Sequence, residues 1–543
     1  MCSANCLGRQ AFLTLLAILV FLSNFANTYA APVNARFKTL GPKDELPRLT
    51  VYVISPPFAG HYIPLLSIAS ELHLRGHNVT FLAQVQRDNE DVPKRSVSEA
   101  GIAFRALGFT PLNKTELEDI VNQTRSGTNL LGAVKHFSEA DTSAYVDLDK
   151  LLTHEPHPDV LVVCNVYRGM GTSIYRKHGI PVVLNYMLEN YFWRPHWPYP
   201  VLGSGLSDRM TFPQRLKNEL VSFVNSYLIE PYLVRTHIPE TLRKHGLNPR
   251  NGLRTIFDMH GMPSILNAAP GFDFPAPLPP NVIQTGPLTV PTMQAFPKPL
   301  QAWLDSKPVK SVVLVSLGTV NVIDERIARL IVEGLGATRV NVLWALRGVY
   351  QETLAGLNVP STFRLKEWIP QRAVLAHRAV AAMVTHCGNN GVQEALANAV
   401  PPVGIPFVAD QTDVGARLAA AGFPVLNLAT VTPSELTSAV QKVTSAGPDG
   451  VNEYQQKAQR LARIFRAYGG VEKAADFVEH IAEVGSDHLQ MAGLSMPWYV
   501  RHRYDTGLFL LVLVGLLLLG VVKLFTGVYK GFRALVSNKN KTD

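Results

Sequence analysis

The amino-acid sequence predicts an α/β protein of two doubly wound domains, followed by one apolar helix near the C-terminus. Two stretches of the chain alternate short β-branched runs with apolar residues at helical spacing, which is typical of parallel sheets covered by helices. A proline-rich segment over 270–299 separates these stretches. At 543 residues the chain is too long for one hydrophobic core, so two domains are expected.

The first α/β stretch opens with a buried parallel strand, a turn rich in proline and glycine, and a helix over 61–75. The strands of this stretch are predicted, in order, at 50–54, 79–83, 159–163 and 181–184. The second stretch has the same rhythm. Its strands are predicted at 311–316, 341–345, 381–385 and 402–405, and its helices at 325–335, 391–399 and 413–421.

The predicted domain borders follow from this pattern. The first domain is expected over 31–275, a linker over 276–300 and the second domain over 301–485. Two doubly wound domains joined by a linker leave a cleft at the carboxyl ends of their strands. We therefore expect the functional residues at strand ends that face this cleft.

Both ends of the chain carry apolar segments. Residues 1–30 have Arg9, an apolar stretch over 12–22 and a small-residue exit at Ala30, which is the layout of a cleavable signal peptide. An uncleaved anchor is the alternative. Near the other end, 507–522 is an uninterrupted run of 16 apolar or glycine residues. With the apolar residues after Lys523, it predicts a transmembrane helix over 506–529.

The basic tail over 530–543 sets the expected orientation. By the positive-inside rule the tail is cytosolic, and 31–505, including a membrane-proximal segment over 486–505, lies on the other side. Three Asn-x-Thr triplets beginning at Asn78, Asn113 and Asn122 are possible glycosylation acceptors, consistent with a lumenal glycoprotein.

Charge and cysteine content exclude other classes of protein. The net charge is +9, but the basic residues are spread along the chain without a run of five or a zinc-finger spacing, which argues against nucleic-acid binding. Only Cys164 and Cys387 remain after removal of the predicted signal peptide. Two distant cysteines form neither a disulfide framework nor a metal-ligand cluster, so no metal site is predicted.

The most informative stretch runs over 368–411 and reads WIPQRAVLAHRAVAAMVTHCGNNGVQEALANAVPPVGIPFVADQ. Within it, a predicted strand feeds the segment His386-Cys-Gly-Asn-Asn-Gly391, which opens a helix. Glycines there let a ligand approach the backbone, and the helix N-terminus favours a diphosphate. An ordinary tight turn would explain a glycine-rich helix start alone.

The full pattern of W-x-P-Q, L-x-H, T-H-x-G-x-N-G-x-x-E and P-x-x-x-D-Q resembles the donor signature of the UDP-glycosyltransferase family. Stretches over 207–218 and 498–505 are also similar to animal members. The resemblance implies a GT-B fold, a UDP-sugar co-substrate and no other cofactor. Cys387 departs from the pattern, since animal members usually have glycine there.

The resemblance implies a role for each matching position. Trp368 stacks on uracil, Gln371 reaches the base or ribose, and Glu394 accepts from the ribose hydroxyls. The expected diphosphate and sugar contacts are His386, Gly388, Asn390 and Gly391 for the diphosphate, Ser316, Gly318 and Thr319 for a second phosphate loop, and Asp410 and Gln411 for the sugar hydroxyls.

His61 is the candidate catalytic base, because it follows the first strand and matches the position of the family's catalytic histidine. A helix N-terminus disfavours imidazolium and keeps such a ring neutral. The family places an aspartate beside it, and counting back from Gly171 and Ile180-Pro181 puts Asn165 at that position as the second catalytic residue. Asp141 is the other carboxylate considered for this role.

We therefore expect an inverting hexose transfer from a UDP-sugar to a small lipophilic acceptor. The aromatic segment from Tyr186 to Tyr199 forms an acceptor pocket or packs beneath a long loop. A non-catalytic binder of UDP-sugar or lipophiles and a nucleotide-sugar epimerase are the rival interpretations. Asp147-Leu-Asp149 resembles a metal-binding motif, but it lies in a helix-like stretch.

The tail also predicts where the protein resides. Lys539 and Lys541 resemble a dilysine retrieval signal, which predicts a single-pass type I protein of the endoplasmic reticulum membrane. The sequence leaves open the sugar, the acceptor and whether the chain forms a homo-oligomer.

Overall fold

The structure is a computed structural model that describes residues 47–86, 91–111, 114–125, 132–187, 198–229, 232–246, 261–289, 296–338, 340–445 and 452–539. The chain divides into a large unit that extends to Leu489 and a second unit that includes the chain from Gln490 onward. The predicted signal peptide, Asn113, most of the aromatic segment after Met187, and Lys541 lie outside the described residues.

The first part of the large unit contains a seven-stranded sheet in the order β3-β2-β1-β4-β5-β6-β7, and every neighbouring pair is parallel. Its strands are β1 Thr50–Ser55, β2 Asn78–Val85, β3 Ala103–Phe109, β4 Val160–Cys164, β5 Val182–Tyr186, β6 Ser264–Leu266 and β7 Val282–Gln284. Val51 and Val53 pack in one hydrophobic core, whereas Ile54 packs in the core on the other face. The sheet is therefore covered on both faces, as a doubly wound sheet requires.

The helices of this part include those that connect the strands. They are α1 Ala59–Leu74, α2 Asp91–Glu99, α3 Lys114–Arg125, α4 Gly132–His154, α5 Arg168–His178, α6 Phe212–Phe223 and α7 Ile238–Lys244. Two positions matter for the site. α1 starts four residues after β1, and a short 3₁₀ turn at Asn165–Tyr167 separates β4 from α5.

The second part of the large unit has a five-stranded parallel sheet in the order β10-β9-β8-β11-β12. The strands are β8 Val312–Ser316, β9 Asn341–Ala345, β10 Phe363–Lys366, β11 Val380–Thr385 and β12 Pro402–Gly404. The helices are α8 Lys298–Asp305, α9 Glu325–Gly336, α10 Gln371–Ala376, α11 Asn389–Ala397, α12 Asp410–Ala420, α13 Pro433–Thr444, α14 Glu453–Ala467 and α15 Gly470–Val484. Two doubly wound sheets are thus confirmed.

Near the end of the large unit, the chain returns to the first sheet. The predicted domain borders did not include this return. α15 lies inside the predicted second domain, yet its residues Ala474, Val478 and Ile481 belong to the core that covers β1 and β4. Likewise, β7 is the edge strand of the first sheet although it falls within the predicted linker. In the structure, the first domain therefore extends past residue 275, and α15 packs against it as well.

The second unit contains two short helices, α16 Ala492–Ser495 and α17 Trp498–Arg501, followed by α18 Tyr504–Lys539. Within α18, the stretch Tyr504–Ala534 contains an 18-residue window with a mean hydropathy of 2.9, and none of this window is buried inside the protein. By length and composition this helix can cross a bilayer.

Candidate active site

The carboxyl ends of β8 and β11 bring His386 against a glycine-lined loop. His386 Nδ1 lies 3.4 Å from the carbonyl oxygen of Ser316, the last residue of β8. A Cβ on Gly318 would lie 2.7 Å from His386 Nε2, and a Cβ on Gly388 would lie closer still. The imidazole therefore fits between two loops because both positions lack a side chain. Burial lowers the pKa of His386 to about 4, so its ring is neutral at pH 7.

The helix α11 begins directly after this loop and faces the first domain. The Asn389 side-chain amide donates to the carbonyl oxygen of Met187, and Asn390 Nδ2 donates to that of Gly60 at 2.9 Å. The Asn390 side chain is thus engaged across the cleft, so the diphosphate contact predicted at this position falls to the backbone N–H groups of the helix start.

A polar cluster forms behind the helix start. Glu394 accepts from Gln371 Nε2 at 2.7 Å and from Arg372 Nε at 3.0 Å. Gly391 lies next to Gln371, because a Cβ there would lie 3.5 Å from its Nε2. Arg372 also donates to the carbonyl oxygen of Leu288 at 3.0 Å. Both oxygens of the predicted ribose-binding carboxylate are therefore held in a fixed orientation.

Trp368 precedes this cluster in the loop between β10 and α10. Its side chain is 61% exposed, which is unusual for an indole. Thr319 is also exposed, and its carbonyl oxygen accepts from the guanidinium of Arg347 at 3.3 Å. An exposed indole is free to stack on a planar ligand.

The two residues predicted to hold the sugar differ in their contacts. Gln411 Oε1 accepts from the backbone N–H groups of Phe407 and Val408 at 3.0 and 3.2 Å, so its side chain holds the shape of the loop before α12. Burial and the neighbouring Asp413 raise the pKa of Asp410 to about 6. Asp410 is therefore the stronger candidate for direct contact with a hydroxyl.

His61 lies in the first turn of α1, between two aromatic rings. The ring centroids of Phe58 and Phe137 both lie 6.4 Å from that of His61. Desolvation lowers the pKa of His61 to about 4, so the imidazole is neutral at physiological pH. Because the preceding Gly60 accepts from Asn390, the candidate base and the start of the donor helix lie on the same cleft.

The structure corrects the expected neighbour of His61. Cys164 Sγ lies 3.4 Å from His61 Nδ1, whereas Asn165 follows one contact further away, with its Oδ1 3.6 Å from Cys164 Sγ. The predicted partner, Asn165, was located by counting back from Gly171 and Ile180-Pro181, and it directly follows the end of β4 at Cys164. Asp141 instead accepts from the backbone N–H of Met170 at 2.9 Å, at the start of α5.

Sequence reasoning missed two further residues of the site. Cys164 ends a wholly buried apolar strand and reads from sequence as core. Arg372 stands next to a recognised motif position, but nothing in the pattern predicts that it bridges Glu394 and the first domain. Only the fold brings these side chains to the cleft.

No group of three or more His, Cys, Asp or Glu residues with metal-binding geometry occurs among the described residues. The Asp-x-Asp pair lies within α4, and Asp149 contacts Lys177 Nζ at 2.7 Å and His178 Nε2 at 2.8 Å. The contacts of Asp149 are therefore those of a structural ion pair rather than of a metal ligand.

Two doubly wound domains that face one cleft, with a phosphate-type loop at the strand ends of the second, form a GT-B fold. Solved structures support this fold. The glycotransferase of kitacinnamycin matches with a TM-score of 0.57 and 21% identity, over 80% of this chain and 99% of that one. The Os79 protein from O. sativa, in complex with U2F and a trichothecene, matches with a TM-score of 0.56 and 19% identity, over 80% of this chain and 99% of that one.

The chain belongs to the family described as UDP-glucoronosyl and UDP-glucosyl transferase, whose model matches residues 172–542. It is 32% identical to UDP-glucuronosyltransferase 2A3 from Pongo abelii, over 85% of this chain and 90% of the relative. It is 27% identical to 2-hydroxyacylsphingosine 1-beta-galactosyltransferase from Rattus norvegicus, over 88% of this chain and 87% of the relative. The expected family, fold and enzyme class are thus confirmed.

Proposed function

We propose that this UDP-glycosyltransferase moves a hexose, with inversion, from a UDP-sugar to a hydroxyl of a small lipophilic acceptor. The observation that carries this proposal is the position of His61, whose Nδ1 is anchored at the end of β4 while Gly60 beside it contacts the donor helix. A neutral imidazole is thereby held next to the place where a nucleotide diphosphate binds.

The chemistry follows from this arrangement. His61 Nε2 takes the proton of the acceptor hydroxyl as the oxygen attacks the anomeric carbon. The bond between that carbon and the diphosphate breaks, and its electron pair leaves with UDP. The start of α11 and His386 stabilise the departing negative charge. Attack on the face opposite the leaving group inverts the anomeric configuration.

The donor and acceptor classes rest on the relatives and on the apolar helix. The relatives' names specify a glucuronosyl donor in one case and a galactosyl donor with a sphingosine-based acceptor in the other. For this chain we propose a UDP-sugar donor and a lipophilic acceptor. Glucose, glucuronate and galactose all remain open as the transferred sugar. A bilayer concentrates lipophilic acceptors beside an enzyme anchored by a helix such as α18.

For localisation, we propose a type I protein of the endoplasmic reticulum membrane with the large unit in the lumen. The support is the basic side chains after the apolar run, which the positive-inside rule places in the cytosol. The dilysine-like tail adds a retrieval signal.

The test is UDP release by the full-length protein in detergent, with UDP-glucose, UDP-glucuronate and UDP-galactose against a phenol and a sterol. One donor should be consumed in step with UDP release, and NMR of the product from an α-linked donor should show a β-linkage. If the protein binds UDP but releases no UDP with every pair of donor and acceptor, it is instead the non-catalytic binder.

A further inference from the structure

The partner of His61 is an unusual feature of this site. β4 is apolar and fully buried up to its last residue, Cys164, whose Sγ lies 3.4 Å from His61 Nδ1. The same sulfur lies 3.6 Å from Asn165 Oδ1, which is an acceptor only. The S–H proton therefore points to the amide oxygen, and the sulfur lone pairs are left to accept the Nδ1–H of the ring.

This thiol is neutral at pH 7. Burial raises the pKa of Cys164 to about 12, with a smaller opposing effect of the Arg168 guanidinium. A neutral group thus occupies the position from which a carboxylate would stabilise imidazolium. The desolvated imidazole gains no compensating negative charge from this neighbour, and the pKa of His61 stays at about 4.

We propose that Cys164 is a positioning residue that fixes the tautomer of His61 without charging it, and that this selects acceptors with acidic hydroxyls, phenols before alkanols. The inference rests on the proposed transfer reaction and on His61 as its base. Asn165 acts one step further out, because it orients the thiol proton away from the ring.

The selectivity follows from where the proton goes. In the transfer step the acceptor oxygen bonds to the anomeric carbon, UDP leaves with the electron pair, and the hydroxyl proton moves to Nε2. A phenol ionises with a pKa of about 10, so it yields its proton to a weak base. An alkanol ionises about as poorly as water, near 16, and depends far more on a base whose positive charge is stabilised.

The experiment compares 4-tert-butylphenol with 4-tert-butylcyclohexanol, two acceptors of similar shape and different acidity. Full-length wild type and Cys164→Asp are assayed with the UDP-sugar that supports turnover. The ratio of variant to wild-type kcat cancels the intrinsic nucleophilicity of each acceptor. Cys164→Asp should raise kcat for the cyclohexanol by at least about tenfold more than for the phenol.

Two further variants separate charge from shape. Cys164→Ser keeps a neutral donor and acceptor at the same place, and should keep the wild-type preference for the phenol. Asn165→Asp adds a carboxylate one contact further from the ring, so it should raise alkanol turnover less than Cys164→Asp does. Asn165→Ala should lower turnover with both acceptors, because it frees the thiol proton to reorient.

The pH profile supplies a readout that a purely structural role would not move. A carboxylate at 164 stabilises imidazolium and raises the pKa of His61, so the acidic limb of kcat/KM should move from near pH 4 toward neutrality. Asp141 on α4 and Arg168 on α5 act electrostatically on this position, and His136 lies beside Phe137. All three are present in wild type and variant, so their charges contribute to both profiles.

Each outcome decides the matter. Equal rate factors for the two acceptors in Cys164→Asp, or a wild type that turns over the cyclohexanol as fast as the phenol, would overturn the inference. The second comparison needs no variant, so it holds even if Cys164→Asp fails to fold. UDP binding without release for both acceptors would overturn the transfer reaction itself, and the inference with it.

Discussion

His386 is the residue through which we expect donor binding to depend on pH. Its Nδ1–H is directed at the carbonyl oxygen of Ser316, so the neutral ring has no proton on Nε2 with which to hold a phosphate oxygen. Burial keeps the pKa of the free ring at about 4. A bound diphosphate favours the imidazolium and raises this pKa, so binding must bring in a proton.

We therefore predict that UDP binding takes up a proton through His386 at pH values between about 4 and the raised pKa. Affinity should fall as the pH rises through that raised pKa, because the protonated ring is the binding form. Calorimetry of UDP binding in buffers of different ionisation enthalpy measures this uptake. His386→Gln keeps a donor without a titration, so it should retain only the protonation change of UDP itself. Equal uptake in both proteins would exclude this role.

Trp368 makes a second residue-scale prediction, because its indole is 61% exposed beside the candidate donor site. Stacking of a base on an aromatic ring is worth about 1–3 kcal/mol. Trp368→Ala should therefore weaken UDP binding by roughly 5- to 150-fold, whereas Trp368→Phe should keep most of the affinity. A dissociation constant for UDP that is unchanged in the alanine variant would place the uracil elsewhere.

At this scale the sequence offers a firmer basis for predicting the donor residues than for predicting the partner of the base. His386, Gly388 and Glu394 belong to a long motif, in which each position supports the identity of the next. The end of β4 has no such context, since a buried apolar strand gives no signal for which residue turns toward the cleft. Asn165 was predicted by counting back from downstream residues, whereas the residue in contact with His61 is Cys164.

Among the elements, α15 links the end of the large unit to the first sheet. Ile481 is 1% exposed within the core that covers β1, and His77 of the first domain contacts Glu479 at 2.8 Å. Arg75 contacts the other oxygen of Glu479 at 2.9 Å. The helix thus holds the first domain through both apolar burial and paired charges.

We expect Ile481→Ala to destabilise the protein by about 2–5 kcal/mol, through lost burial and a cavity. Thermal unfolding of the full-length protein in detergent should show a midpoint lowered by several degrees. His480→Ala on the exposed face of the same helix is the control, and should change the midpoint little. Similar shifts for both variants would show that α15 does not stabilise the first domain.

How well the sequence predicted an element depended on the length of the element, its residue types and its tertiary contacts. Strands such as β1 and β8 are β-branched and bounded by turn residues, and their predicted bounds differ from the structure by at most one residue. β6 and β7 have only three residues each, too few to show a periodicity. The packing of α15 on the first domain depends on tertiary contacts that a helical pattern does not specify.

For the whole molecule, the apolar helix sets the relation of the protein to the membrane. α18 exposes its leucine, valine and phenylalanine side chains, which are stabilised by lipid rather than by the protein core. The basic residues beyond the apolar run then determine which side of the bilayer the tail occupies.

In intact microsomes we predict that residues 31–505 resist added protease while an epitope after Asn540 is removed. Detergent should abolish the protection of the large unit, which serves as the control. A protected epitope would contradict the proposed orientation.

Replacement of Lys539 and Lys541 by serine should release the protein from the endoplasmic reticulum, and unchanged residence would count against the retrieval signal but not against the anchor.

The central claim is that His61 acts as the base of a transfer reaction that needs no metal ion. The most direct measurement is UDP release by wild type and His61→Ala with a donor and acceptor pair that supports turnover, in the presence of EDTA. We predict that wild type keeps its rate and that His61→Ala loses about 100- to 10,000-fold, with UDP affinity nearly unchanged. Turnover that survives in His61→Ala, or that EDTA abolishes and manganese restores, would contradict the account.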